Sequence, residues 1–365
     1  MRTRHDHTGQ DLAALRRLLH DLTADMPPAR LNRLNQHLVT EIRLAGAGQP
    51  PVPAGPRAAG PRGPRRRRAR LILAGAAVLG VATAATAISI ASQGGPALPP
   101  PSKAAVQLLA KVADAAAREP TPNVRDSQYM YAEIKEASRS LPSNLEPFIK
   151  SGSFPRQLRL RLQKLRTQKH TSQIWMPVAD VCRTGLLRIA RQHGGWDNEP
   201  FSAGGPGVKC PSIGGLNDAT YRLLQTLPTD PQALLAMIYK VERGHGPTPD
   251  QEAFVTIGDL LRATIAPPKV AAALYRAAAL IPGVTLVPDA TDAIGRHGVA
   301  VARIGPGVDG GIREELIFSK TSLRLIGERT ILASAGISTD ATAIISRAFV
   351  DHLGQVPPST QSPMS

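Results

Sequence analysis

An uninterrupted apolar run divides this chain and limits what it can fold into. From Leu71 to Ala91 there are 21 residues without a charged side chain, and only Thr83, Thr86 and Ser89 are polar. A helix needs about 20 such residues to cross a hydrocarbon core of about 30 Å. The run therefore predicts a single transmembrane helix.

Positive charge lies on one side of this run. Six arginines precede it, namely Arg62, Arg65, Arg66, Arg67, Arg68 and Arg70. The next charged residue after the run is Lys103. This asymmetry predicts a cytoplasmic N-terminus and an extracellular C-terminal domain in the cell membrane. The arginines would lie among the headgroups of the lipid bilayer, each contributing about 1 kcal/mol to membrane attachment.

Two other interpretations of the apolar run remain open. A buried core helix would also be apolar on all sides, but an arginine cluster is an unusual neighbour for one. A cleaved signal peptide would need a leader of about 70 residues before the run, against a usual total of about 15–30. A start codon further along the chain would revive that option, because the arginine cluster resembles a twin-arginine signal.

The basic composition does not indicate direct binding of nucleic acid. The net charge is +16, of which residues 1–70 supply +9, from 14 Arg against 5 Asp or Glu. The other +7 is spread over the remaining 295 residues. The arginine cluster adjoins the apolar run and has no interleaved aromatic side chains, so a platform for stacking bases is missing.

Residues 1–44 form a cytoplasmic segment with two amphipathic stripes. The apolar side chains of both stripes recur every three or four residues and are Leu12, Leu15, Leu18, Leu19 and Leu22, then Leu31, Leu34, Leu38 and Ile42. Such short helices bury little area alone. The segment is therefore a weakly ordered tail, a helix lying on the membrane, or a docking element for a cytoplasmic partner. The pair His5 and His7 has no third ligand nearby and does not predict a metal site.

Composition divides the rest of the chain. Residues 45–70 form a linker of Gly, Pro and Arg, residues 71–91 the transmembrane helix and residues 92–101 a stalk. Residues 102–353 form an extracytoplasmic domain, followed by a disordered tail at 354–365.

The extracytoplasmic domain begins and ends with strand-like patterns and has helices in the middle. Ser102 caps a first helix with Val106, Leu109, Val112 and Ala116 on one face. Strands are predicted at 128–136, 156–163, 171–180 and 182–191, and a Gly-rich loop at 194–215. Three helices follow, two of which begin at Thr229 or Asp230 and at Thr248. Five further strands, with a hairpin joint at 318–325, complete an α+β fold whose curved antiparallel sheet is covered by helices.

The two cysteines, Cys182 and Cys210, both follow the predicted span. In an oxidising compartment they would form a disulfide bond. Such a bond would close a loop of about 28 residues and stabilise the domain by about 3–4 kcal/mol. Two separate buried thiols are the alternative.

The sequence contains no motif for a nucleotide loop, a nucleophile elbow or a zinc protease, and it predicts no catalytic, cofactor-binding or metal-binding residue. The protein is accordingly expected not to be an enzyme. Acidic residues near strand ends are interpreted as surface charges: Asp289, Asp292, Glu314 and Glu315. Two histidines in Gly-rich turns are interpreted as exposed: His245 and His297. Trp175 and Trp196 are interpreted as core or loop anchors.

Several motifs of the extracytoplasmic region occur in a recognisable order. They are "SQYMYAEIKEAS", "TSQIWMPVADVCRTGLL", "LQTLPTDPQALLAMIYK", "ALYRAAALIPGVTLVPDATDAIGRHGVAVAR" and "REELIFSKTSLRLIGERTIL". Over most of residues 100–350 the chain resembles an actinobacterial family of single-pass membrane proteins of uncharacterised function. The polar Pro/Ser tail that follows the last strand departs from the family pattern.

The resemblance implies a signalling role, since that family is often encoded beside sigma factors of the extracytoplasmic-function type. The domain is also similar to the half-barrel of lipoprotein carriers and of periplasmic regulators, which hold a lipid or a peptide. Two hypotheses follow. The first is a non-enzymatic sensor whose tail contacts a sigma factor or a membrane regulator, although the tail lacks the Cys/His zinc motif of many anti-sigma domains. The second is a membrane-tethered carrier of lipid or another apolar ligand.

Overall fold

The computed structural model describes residues 98–142, 153–180, 182–191, 193–202, 216, 219–242, 248–305 and 311–358. These residues belong to one compact unit, Gly94–Ser365. The predicted transmembrane helix and the cytoplasmic segment lie outside the described residues. Among the described helices, none has the length and apolar character needed to cross a membrane.

Six helices and nine strands make up the described fold. The helices are α1 (Lys103–Ala117), α2 (Arg156–Gln163), α3 (Tyr221–Thr226), α4 (Pro231–Val241), α5 (Pro249–Ala263) and α6 (Pro268–Ala278). The strands before the helical middle are β1 (Tyr129–Ser138), β2 (Gln168–Pro177), β3 (Gly185–Ala190) and β4 (Trp196–Phe201). The strands after it are β5 (Thr285–Thr291), β6 (His297–Ile304), β7 (Ile312–Phe318), β8 (Leu325–Leu332) and β9 (Ile337–Val350).

All nine strands join one curved antiparallel sheet in the order β4-β3-β2-β1-β9-β8-β7-β6-β5. The first and last strands therefore pair at the centre, with Tyr129 opposite Val350 and Ser138 opposite Asp340. Each half of the sheet is a simple meander, which needs only short connections. The α+β class and the antiparallel sheet predicted from the sequence are confirmed.

Helices α1 and α3–α6 pack on one face of the sheet, which we call the helix-covered face. Their apolar side chains meet sheet residues such as Val301, Leu316, Phe318 and Ile344 in the largest core cluster. The predicted cap residues Ser102, Asp230 and Thr248 directly precede α1, α4 and α5, and each accepts a hydrogen bond from the backbone N–H three residues later. These side chains satisfy backbone donors that would otherwise have no partner at a helix start.

The segment 156–163 was predicted as a strand and is the helix α2. Its leucines alternate in sequence, but Leu158, Leu162 and Leu165 recur at helical spacing and pack together, whereas Leu160 stays 48% exposed. Pro155 precedes the first turn, where proline is well tolerated. Period-two and helical spacings overlap in so short a segment, and packing against β8 and β9 decides between them.

Three smaller differences concern α1, β4 and the chain ends. Val106 of α1 was assigned to the buried face but is 37% exposed, because Ala105 and Leu108 take that face. Strand β4 occupies the start of the predicted Gly-rich loop. Gln355 lies in the predicted tail, yet its carbonyl accepts a hydrogen bond of 2.6 Å from Trp175 Nε1.

Candidate functional site

A group of charged side chains lies on the helix-covered face, between the main helical core and the small apolar cluster around α2. We call it the carboxylate cluster. Its acidic members are Glu136 of β1, Asp259 of α5, Glu314 of β7, Glu328 of β8 and Asp340 of β9. The cations that contact it are Arg262 of α5 and His170 of β2.

Pairing and register place these residues on one face. Leu316 faces Glu328 and Glu314 faces Thr330 across the β7–β8 pair, so the two glutamates are diagonal neighbours. Such diagonal positions are about 7–8 Å apart on the same face of a sheet. Thr330 Oγ1 donates to Glu314 Oε2 at 2.8 Å.

Helix α5 brings a cation to the sheet. Arg262 Nε lies 3.0 Å from Glu328 Oε2, and Arg262 Nη2 also donates to Asp259 one helical turn earlier. Gly258 allows this approach, since an added Cβ would lie 3.1 Å from Glu328 Oε1 and 2.9 Å from Leu316 Cδ2. Glu328 Oε1 is buried and receives no hydrogen bond from the described residues.

A second ion pair closes the β1–β2 side of the cluster. His170 Nε2 lies 3.1 Å from Glu136 Oε2, and Ser172 Oγ donates to Glu136 Oε1 at 2.8 Å. Burial disfavours the Glu136 carboxylate, but His170, Ser172 and Arg262 together hold its pKa below the usual value. The hydrogen bond to Glu136 raises the pKa of His170 in turn.

The carboxyl groups on the other side of the cluster behave differently. Burial raises the pKa of Glu314 to about 7. The hydrogen bond from Thr330 lowers this pKa, whereas the nearby charges of Glu328, Asp259 and Asp340 raise it further. Burial also raises the pKa of Glu328 to about 7, although Arg262 opposes it. Burial is also the main cause of the raised pKa of Asp340. At neutral pH the cluster therefore contains carboxyl groups close to their protonation midpoint.

The residues singled out from the sequence lie apart from this cluster, except Glu314. Cys182, in the β2–β3 connection, is disulfide-bonded, and its backbone N–H donates to Asp180 Oδ1 at 2.8 Å. Cys210 lies outside the described residues, so the Cys182–Cys210 pairing stays a prediction. The arginines Arg62, Arg65, Arg66, Arg67, Arg68 and Arg70, and also His245, lie outside the described residues.

The interpretation of the acidic residues as surface charges is wrong for Asp292 and Glu315, whose side chains have no exposed area. Asp292 accepts from Arg296 Nε at 2.6 Å and holds the β5–β6 turn. Glu315 lies between Arg313 and Arg329, at 2.8 and 2.7 Å. Arg296 comes from a turn and Arg329 from the neighbouring strand β8, so strand alternation alone did not reveal these two contacts.

The aromatic residues match their prediction more closely. Trp175 is fully buried against Tyr131 on the opposite face of the sheet from the helices. The guanidinium of Arg188 lies 5.5 Å from the ring centre of Trp175 and 5.2 Å from that of Trp196. These contacts support an anchoring role for both tryptophans.

Sequence reasoning missed most of the carboxylate cluster. Glu136 follows Lys135 and Glu328 precedes Arg329, so their neighbours in sequence did not mark them as inward-pointing charges. Asp259 and Arg262 are three residues apart on α5, as an ion pair on one helix face requires. Among the described residues, no group of His, Cys, Asp and Glu is arranged to hold a metal ion.

Comparison with known proteins assigns neither a family nor a function to this chain. No protein-family model matches the chain, and no curated protein matches it significantly. The resemblance stated from the motifs therefore stays a prediction.

Proposed function

We propose that this protein is a non-enzymatic, single-pass envelope protein whose extracytoplasmic domain binds a ligand and whose cytoplasmic segment, residues 1–44, passes the signal to a sigma factor or a membrane regulator. The apolar run at 71–91 and its arginine flank support the topology. The leucine stripes of the cytoplasmic segment supply apolar faces for a partner.

The carboxylate cluster is the observation that carries the ligand-binding part of this proposal. Buried carboxyl groups with acceptor capacity suit a ligand that donates hydrogen bonds, such as a peptide or an amine. They suit an acyl chain poorly, because an apolar chain would leave the buried Glu328 Oε1 without a hydrogen bond. The geometry thus favours the sensor over the alternative, a tethered carrier of lipid.

The apolar part of the helix-covered face supports the same choice. Its side chains are already in contact with α1 and α3–α6 on one side and with α2 on the other. A carrier would need a free apolar lining to hold an acyl chain. Among the described residues, these side chains pack against one another in the core clusters and do not form such a lining.

The first test is a pull-down of the full-length protein from solubilised membranes, with retained proteins identified by mass spectrometry. A variant without residues 1–44 is compared with a control that lacks only linker residues 46–56. We expect a sigma factor or regulator to be lost with the first deletion and kept with the second. Equal retention by both variants contradicts the signalling role.

The second test identifies small molecules released from the purified full-length protein. Wild type is compared with Glu314→Gln/Glu328→Gln and with the exposed control Asp289→Asn. We expect a peptide or amine to be lost only from the double variant. Co-purified lipid in all three proteins would instead support the carrier.

A further inference from the structure

We propose that one end of the extracytoplasmic domain is a docking surface for the headgroup region of an anionic lipid bilayer. This inference rests on the membrane topology of the proposed function. We call this end the tether end, and it is defined by Gly283, Ile304, Ile312 and Leu332, where the chain enters the domain.

The position of the entering chain is fixed by hydrogen bonds. Gly283 N–H donates to the carbonyl of Pro99 at 2.8 Å, and Ser102 N–H donates to the carbonyl of Val284 at the same distance. Leu98 packs against Gly283, which has a positive φ of 81°. The stretch Leu98–Ser102 is therefore held at the α6–β5 turn.

The strand register places the β6–β7 hairpin beside this turn. Thr285 pairs with Ala302, so Ile304 lies level with Gly283 at the end of the neighbouring strand. Arg303 Nε donates to the carbonyl of Pro282 at 2.9 Å, which confirms the proximity. Ile312 pairs with Leu332, so the C-terminal end of β8 lies at the same end of the sheet.

The length of chain before Leu98 limits how far this end can lie from the membrane. The predicted span ends at Ala91, seven Cα-to-Cα steps before Leu98. Seven fully extended residues span about 25 Å at most. Leu98, and with it the tether end, therefore lies within about 25 Å of the end of the predicted span.

Exposed apolar side chains occur at the same end. Among the described residues, nine large apolar side chains are more than a third exposed, and five of them lie here, namely Val106, Leu160, Leu280, Ile304 and Ile312. Ile304 and Ile312, at 45% and 51% exposure, flank one hairpin. Side chains of this kind insert at the boundary between headgroups and acyl chains.

The charge of α2 and the segment after it complements an anionic surface. Leu162 packs against Leu332 and Ile337, which fixes α2 at the tether end. Six basic residues here are exposed: Arg156, Arg159, Arg161, Lys164, Arg166 and Lys169. No acidic residue occurs between Glu146 and Asp180. Exposed Leu160 between Arg159 and Arg161 gives α2 the composition of an interfacial helix.

The test uses the full chain in lipid nanodiscs that contain spin-labelled lipid. A fluorophore is attached under non-reducing conditions to Ile304→Cys or to Ile294→Cys, and the parent protein gives the background. Ile294 is the matched control, since it is 46% exposed and lies in the β5–β6 turn at the other end of β6. We expect quenching to be several-fold stronger at position 304 than at position 294.

Charge is tested in the same preparation. Arg159→Gln/Arg161→Gln should reduce quenching at position 304 in anionic nanodiscs and have little effect in zwitterionic ones. Arg118→Gln/Lys320→Gln, which removes the same charge from exposed positions away from the tether end, should leave it unchanged.

Equal quenching at positions 304 and 294 overturns the docking surface, and so does crosslinking between copies of the chain through position 304 without quenching by lipid. Alkaline carbonate extraction of the native membranes separates the two proposals. A protein that resists extraction but shows no preference for position 304 retains the proposed topology and lacks the docking surface. A protein released by carbonate contradicts both.

Discussion

Arg262 of α5 and Glu328 of β8 form an ion pair inside the domain, with Nε 3.0 Å from Oε2, and their side chains keep only 26% and 17% exposure. The pair joins the helical layer to the sheet at the carboxylate cluster. Removing Arg262 leaves the Glu328 charge buried and uncompensated, which costs more than the pair itself contributes. Neutralising Glu328 is different, because Arg262 keeps Asp259 as its partner.

We expect Arg262→Met to lower the free energy of unfolding by about 2–4 kcal/mol. Adding Glu328→Gln should restore a large part of that loss, because the unpaired carboxylate is then absent. Urea unfolding of the two single variants and the double variant gives the coupling energy. Simple additivity of the two effects contradicts a direct interaction.

The raised pKa values of Glu314 and Glu328 predict a dependence of stability on pH. Since the folded pKa is about 7 and the unfolded pKa 4.5, the folded state binds more protons between these values. Stability contributed by the protonated groups is therefore lost as the pH rises from about 4.5 to about 7, by roughly 3 kcal/mol for each group.

Glu314→Gln/Glu328→Gln isolates this contribution, because glutamine resembles the protonated acid and does not titrate. The double variant should match wild type near pH 4.5 and be the more stable protein at pH 8, when both are unfolded in urea. The exposed control Asp289→Asn should show no such gain. A constant difference between wild type and the double variant from pH 4.5 to 8 would show that neither group titrates in this range.

The disulfide bond of Cys182 provides a third prediction. Peptide mapping under non-reducing conditions should identify Cys210 as its partner. Cys182→Ser and Cys210→Ser should each lower the free energy of unfolding by about 3–4 kcal/mol, and the double variant by no more than either single one. Recovery of two free thiols from the native protein contradicts the pairing.

The fourth prediction concerns the loss of stability when the buried guanidinium of Arg303, at the tether end, is replaced. Its side chain is fully buried, and it donates to Pro282 O at 2.9 Å and Gln251 Oε1 at 2.6 Å, with Asp250 at 3.3 Å. Arg303→Lys cannot reproduce this planar set of bonds and should destabilise the domain by about 2–4 kcal/mol. Arg276→Gln, which breaks an exposed pair with Asp114, should cost less than about 1 kcal/mol. Thermal unfolding of both variants makes the comparison, and similar losses would argue against the bonding described for Arg303.

Local patterns were sufficient for most of the secondary structure. The caps Ser102, Asp230 and Thr248 mark helix starts because their side chains bond to backbone groups a few residues away. The alternating segment 128–136 was recognised as a strand and contains most of β1. The segment of α2 was assigned wrongly because its leucines fit both periods, and only contact with Leu332 and Ile337 selects the helix.

The sequence by itself determined the antiparallel α+β class and the caps of three helices, since each depends on composition or on neighbours within a few residues. The tertiary structure decided that β1 pairs with β9, that Glu136 and Glu328 share one face and that α2 lies beside the β8–β9 turn. The β1–β9 pairing joins residues more than 200 positions apart. They depend on sheet order and packing, which no local pattern specifies.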